Sequence, residues 1–142
     1  MKKIMLIILL GCVNTYGHLD APTLRATLLA IEQVESRGNT RILNHRALGC
    51  MQITPIALRD CNRILGYTKY TLEDRKDRTK SFAIAKIILN HYGDVREFRT
   101  GKKVSVRFMA NVWRYGYKDA CSTSLRSNYA NRVSNLVGLY RR

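Results

Sequence analysis

Apolar residues recur through most of the chain at the three-and-four spacing of an α-helix and only weakly at the alternation of a strand. The first such segment covers residues 22–36. At about 100° per residue, Leu24, Thr27, Leu28, Ile31 and Val34 share one broad arc, while Arg25, Glu32, Gln33 and Ser36 gather opposite. Asp20 and Pro22 supply its start, because proline has no N–H to lose in a first turn, and Gly38-Asn39 supplies its stop. Residues 44–54 read as loop. Thr54-Pro55 then opens a second helix that runs to Leu65 ahead of Gly66. A third begins at Thr79, carries Phe82, Ala85, Ile88, Leu89 and Tyr92, and closes at Gly93, which leaves the basic stretch 96–103 as loop. Ser105 caps a fourth helix to Tyr115 with Gly116 behind it, and a fifth runs from near Ser127 to the end. With no repeat, low-complexity tract or linker, the pattern predicts a mainly α fold in one domain.

Residues 1–17 stand apart from this scheme. Met1-Lys2-Lys3, an apolar run over residues 4–13, and Thr15-Tyr16-Gly17 with small residues where signal peptidase reads form the pattern of a secretory signal. The run is well short of the ~20 residues a spanning helix needs, so a permanent transmembrane anchor is disfavoured. The expected mature protein is residues 18–142, secreted or periplasmic. Leu9-Leu10-Gly11-Cys12 also fits a bacterial lipobox, in which a lipidated Cys12 would hold the protein on a membrane; the plain reading of that cysteine is a small hydrophobe in an apolar run. Cys50, Cys61 and Cys121 remain, an odd number. A pair plus one leftover is the usual arithmetic of an exported protein, with Cys50 and Cys61 the nearer candidates, and the absence of Cys-x-x-Cys spacing argues against structural zinc.

Charge narrows the partner. Against 25 Lys+Arg stand 10 Asp+Glu, a formal net charge of +15 that falls to +13 when residues 1–17 leave with Lys2 and Lys3 and no acid. Such a surplus favours polyanions: nucleic acid, an anionic membrane or an acidic cell wall. The chain has no nucleic-acid-binding motif of the recognised kinds, and an exported protein rarely meets nucleic acid, so that partner is not expected. Lys102-Lys103 and Arg141-Arg142 read as solvated charge. His45 and His91 have no metal-ligand companions, so no metal or other cofactor is implied.

One position breaks the first helix's pattern. Glu35 lies four residues after Ile31 and seven after Leu28, inside the apolar arc. A carboxylate there is costly when ionised, because desolvation favours the neutral acid, the state a general acid needs near neutral pH. Glu35 also stands one turn from Gly38, where a frayed helix end would simply face water, and the residues alone leave both readings open. Glu32, one turn earlier, falls at the polar edge and reads as solvated surface.

The surroundings of Glu35 carry a resemblance. Ile31-x-x-Val34-Glu35-Ser36-x-Gly38-Asn39, followed by Ala47-Leu48-Gly49-Cys50-Met51-Gln52-Ile53-x-Pro55, resembles the catalytic core of the soluble lytic transglycosylase (SLT) family, relatives of goose-type lysozyme. Asp60-Cys61-Asn62-Arg63-Ile64-Leu65 and Tyr70-Thr71-Leu72-Glu73-Asp74-Arg75 resemble a phage-associated subgroup. Trp113-Arg114-Tyr115-Gly116 stands where the family has Tyr-Asn-x-Gly, and Asn128-Tyr129-x-x-Arg132-Val133 is similar to its terminal Tyr-Val element. Each motif is short, but their order is preserved over residues 24–133, nearly the whole mature chain.

The resemblance implies a lysozyme-like helical domain over residues 18–142, acting as a monomer on peptidoglycan glycan strands. The implied reaction is lytic: cleavage of the MurNAc–GlcNAc β-1,4 bond with formation of 1,6-anhydro-MurNAc, Glu35 serving as sole acid and base. Ser36 would steady the start of the loop, and Gly49 would let the backbone approach the sugar. Met51 and Gln52 would line the cleft, Gln52 hydrogen-bonding the substrate, and Trp113 and Arg114 would contribute to binding. Tyr129 would face Glu35, against its plain reading as a surface aromatic. Leu48 and Ile53 read as core even in an enzyme.

Two departures matter. Cys50 replaces the usual Leu, a tolerable change for a small hydrophobe. Arg114 replaces the usual Asn, and a guanidinium cannot accept a hydrogen bond. It would instead suit a carboxylate on a peptide stem. Two alternatives therefore stand beside the transglycosylase: a hydrolytic lysozyme on the same fold, which needs a second carboxylate about 5 to 9.5 Å from the acid, and a non-catalytic wall-binding relative disabled at Arg114. Glu32 is the nearby candidate for that second carboxylate.

Overall fold

The computed structural model describes residues 19–122 and 127–142; the secretory signal, the Cys12 lipobox and a mature start at His18 lie outside them. The described chain is mainly helical. Helix α1 (Ala21–Ser36) starts where Asp20 accepts from the Thr23 N–H at 2.7 Å, with Pro22 in its first turn. It ends at Arg37, whose left-handed φ of 55° closes the helix one residue before Gly38. A short antiparallel hairpin follows, β1 (Leu43–Asn44) and β2 (Ala47–Leu48), with Leu43 opposite Leu48 and Asn44 opposite Ala47. The sequence pattern reads this region as loop, because two-residue strands are too short to show alternation.

Helix α2 (Pro55–Leu65) follows the predicted bounds: the Thr54 hydroxyl accepts from the Ala57 N–H at 3.1 Å, and Gly66 ends it at φ 80°. A 3-10 turn (Glu73–Lys76) leads into α3 (Arg78–Thr100), then α4 (Val106–Tyr115), the one-turn α5 (Tyr117–Ala120) and α6 (Asn128–Tyr140). Ser105 and Ser127 cap α4 and α6, accepting from the Phe108 and Ala130 N–H groups.

Helix α3 departs most from expectation. It is capped by Asp77, two residues before Thr79, passes through Gly93, and takes in much of the stretch expected to be loop before Gly101 ends it at φ 64°. Gly93 is a packing residue. A Cβ there would stand 3.1 Å from Met109 Cε and 3.2 Å from Val104 Cγ2, so its absence lets the α4 side of the fold close on α3. A mid-helix glycine costs about 1 kcal/mol, a penalty that close packing offsets.

Helix α1 packs along α6 and also meets α4 and α3, while α2 lies on α3. Ala30 and Ile31 at the centre of α1 are completely buried, as are Ile84, Leu89, Met109 and Val133 on the helices around it. Each large aliphatic side chain so buried contributes about 1.5 to 3 kcal/mol of apolar transfer.

The expected cysteine pair does not form: Cys50, Cys61 and Cys121 are all free thiols. Cys50 and Cys61 are each fully buried, and burial pushes both thiols up to about 11, so they pack as inert hydrophobes. Among the described residues, no helix is long and apolar enough to cross a membrane.

Candidate active site

The last turn of α1 carries Glu35 towards α6 and α4. Its side chain is only 9% exposed, so the apolar-arc reading holds over the frayed end. The Tyr129 hydroxyl on α6 donates to Glu35 Oε1 at 2.8 Å, and Arg114 Nη1 on α4 stands 3.9 Å from Oε2. The Arg114 guanidinium also lies 5.7 Å from the Tyr129 ring centroid. Two residues distant in sequence, Arg114 and Tyr129, thus converge on the Glu35 carboxyl group.

Opposing influences set its ionisation. Burial raises the Glu35 pKa; the Tyr129 hydrogen bond and the positive charges of Arg114 and Arg132 lower it, and burial prevails. Tyr129 is pushed far above the ordinary phenol range by its own burial and by the neighbouring carboxylate, so its hydroxyl stays a donor. The Arg114 side chain is 54% exposed, which makes its ion pair with Glu35 loose and solvent-screened. Arg132, one turn after Tyr129 on α6, belongs to the sequence motif but acquires its electrostatic role only from the packing of α6 against α1.

The segment after α1 is held by backbone capture. The Ser36 hydroxyl donates to the Cys50 carbonyl at 2.7 Å and accepts from the Gly38 N–H at 3.1 Å, tying the end of α1 to the turn beyond β2. Leu48 and Ile53 exchange a pair of backbone hydrogen bonds, each 3.1 Å, across that turn. Gly49 adopts φ 82°, and a Cβ on it would fall 1.9 Å from the Arg75 carbonyl oxygen. The close approach that demands glycine is therefore to Arg75 of the chain itself, a different neighbour from the sugar implied by the resemblance.

Met51 departs from its implied role and Gln52 does so in part. Met51 is completely buried, because the tight turn directs it into the core instead of the cleft. Gln52 borders the cleft, yet its amide nitrogen donates to the Gly49 and Ile42 carbonyls at 2.9 and 3.1 Å. Both amide hydrogens are thereby used inside the loop, where they hold a residue at φ 51°.

Residues of the second resemblance act as braces. Arg75, 8% exposed, donates to the Leu72, Arg46 and Ile53 carbonyls and clamps the hairpin to the 3-10 turn. The Asn62 side chain holds both backbone groups of Tyr70. Glu32 is the clearest correction. Instead of facing water it is 6% exposed, and its two oxygens accept from Arg78 Nε and Nη2 at 2.6 and 2.7 Å. The polar edge of α1 is covered by the start of α3, a tertiary contact that helical periodicity does not report.

A cleft of about 830 Å³ shares Arg114 with the Glu35 cluster, its volume within the ~300–1,000 Å³ of ordinary ligand sites. It is bounded by α2, by Ile88 and Tyr92 of α3, and by the α4–α5 junction with Trp113 and Tyr115. Glu35 is not in its wall; Arg114 belongs to both the wall and the Glu35 cluster. Among the described residues, no group of three or more His, Cys, Asp or Glu side chains is placed to hold a metal ion. Comparison with protein-family models, with curated proteins and with solved structures returned no match.

Proposed function

We propose that this protein is a lysozyme-like lytic transglycosylase of peptidoglycan, with Glu35 as its single acid and base. The observation that carries the reading is the buried Glu35 carboxyl, hydrogen-bonded to Tyr129 and joined through Arg114 to an aromatic-lined cleft, in a chain whose ordered motifs resemble the SLT family. A glycan strand lies along the cleft past Arg114. Protonated Glu35 gives its proton to the glycosidic oxygen, the bond from that oxygen to C1 of MurNAc breaks, and the N-acetyl group of that sugar shields the cationic carbon. The Glu35 carboxylate then takes the proton of the sugar's own 6-hydroxyl as that oxygen attacks C1. Glu35 ends protonated, no water is consumed, and the new end is 1,6-anhydro-MurNAc.

The hydrolytic alternative requires a second carboxylate free to activate water. Glu32 has both oxygens bound to Arg78, which favours the one-carboxylate mechanism. The sugar's 6-hydroxyl needs no such activation partner, because the ring holds it near C1 at high effective concentration. The expected site of action is the cell wall, reached by export. Strand cleavage of purified sacculi is expected from the parent chain and a loss of at least ~100-fold from Glu35→Gln, whose amide keeps the shape but has no acidic proton. A folded Glu35→Gln variant with near-parent cleavage would remove Glu35 from the reaction.

A further inference from the structure

The charged residues of the cleft wall do not balance. Asp60 is the acid there, and both of its oxygens are already engaged: Oδ1 accepts from Arg63 Nε and Nη2 at 3.0 and 2.6 Å, and Oδ2 accepts from the Tyr92 hydroxyl at 2.8 Å. Asp60 therefore neutralises Arg63, leaving Arg59 uncompensated and Arg114 with only the loose, solvent-screened pair to Glu35. Arg59 is exposed and has no hydrogen-bond or ion-pair partner among the described residues. Arg114, 54% exposed, has the loose 3.9 Å approach to Glu35 and the Tyr129 ring 5.7 Å away, and its guanidinium still offers donors to a ligand.

The same wall carries Trp113 and the exposed side chain of Tyr115, flat surfaces suited to the apolar faces of sugar rings. We propose that the cleft selects glycan strands that bear carboxylates, with Arg59 of α2 and Arg114 of α4 as the residues that read the anion. The inference rests on the peptidoglycan reading and deepens it: aromatic contact serves any glycan, whereas planar guanidinium forks match carboxylates of the lactyl group or peptide stem. Both arginines stay hydrated when a neutral strand binds, so discrimination comes from a gain for the anionic strand and not from a penalty on the neutral one. A gain of that kind at an exposed site is about tenfold in affinity.

The full chain carrying Glu35→Gln, which leaves strands intact, allows binding to be measured apart from cleavage. The probes are soluble strands released from sacculi, either untreated or with their carboxylates converted to neutral amides by carbodiimide and ammonia. At fixed ionic strength, amidation is expected to weaken binding about tenfold, and Arg59→Gln or Arg114→Gln to reduce that ratio to a few-fold at most. Lys102→Gln with Lys103→Gln, outside the cleft wall, is expected to leave the ratio unchanged.

A ratio near one in the parent, a ratio that survives both arginine substitutions, or a ratio that falls equally in the lysine variant would each overturn the proposal. So would failure to bind either strand. Discrimination without strand cleavage by the chain that retains Glu35 would remove the transglycosylase reading and leave the anion-reading cleft standing; cleavage without discrimination would do the reverse.

Discussion

A carboxyl group 9% exposed beside a phenol hydroxyl and a half-exposed guanidinium couples chemistry to stability at the residue scale. Because burial holds the folded Glu35 pKa above its unfolded value, the folded state binds this proton more tightly, and the associated stability is present at low pH and lost as pH rises through the raised value. Glu35→Gln removes that loss. The variant is expected to melt above the parent at neutral pH and together with it below the ordinary carboxylate range, as read from melting temperatures across pH. An equal difference at every pH, or a less stable variant at neutrality, would mean that the charge of Glu35 is not desolvated. The position of Glu35 in an apolar arc is legible because helical periodicity is local. Its partners are not: Arg114 and Tyr129 lie on other helices, and only an assembled α1, α4 and α6 bring them within reach.

At the scale of elements, two contacts hold the loop and helices that frame Glu35. Gly49 combines a left-handed φ of 82° with a Cβ position 1.9 Å from the Arg75 carbonyl, so Gly49→Ala must displace either the turn or the buried Arg75 clamp. A loss of about 3 kcal/mol or more in denaturant unfolding is expected; a change under about 1 kcal/mol would contradict the close approach. Glu32→Gln breaks the charged pair that joins α1 to α3. Since Arg78 is 53% exposed and partly hydrated, the expected cost is about 1 to 3 kcal/mol, with the cleavage rate per folded molecule unchanged. A large loss of rate in a stably folded Glu32→Gln protein would restore the two-carboxylate lysozyme.

The caps at Thr54 and Ser105, and the helix starts at Asp20 and near Ser127, are legible because each of these side chains bonds its own first turn. Gly93 misleads for the converse reason. A helix-ending glycine and a packing glycine look alike until Met109 and Val104 are seen against it.

For the whole molecule, a mainly helical fold sets α1 among α6, α4 and α3 and leaves a cleft along α2 and the α4–α5 junction. A formal charge of +15 suits anionic polymers in general and does not choose among them; the proposal of a wall glycan rests on the residues around Glu35 and the cleft. The central claim is that one carboxyl group and the sugar's own 6-hydroxyl break the strand without water. Digestion of purified sacculi in ¹⁸O-labelled water, followed by mass spectrometry of the new strand ends, tests it directly. The account predicts 1,6-anhydro-MurNAc ends with no label; reducing MurNAc ends that carry the labelled oxygen would contradict it.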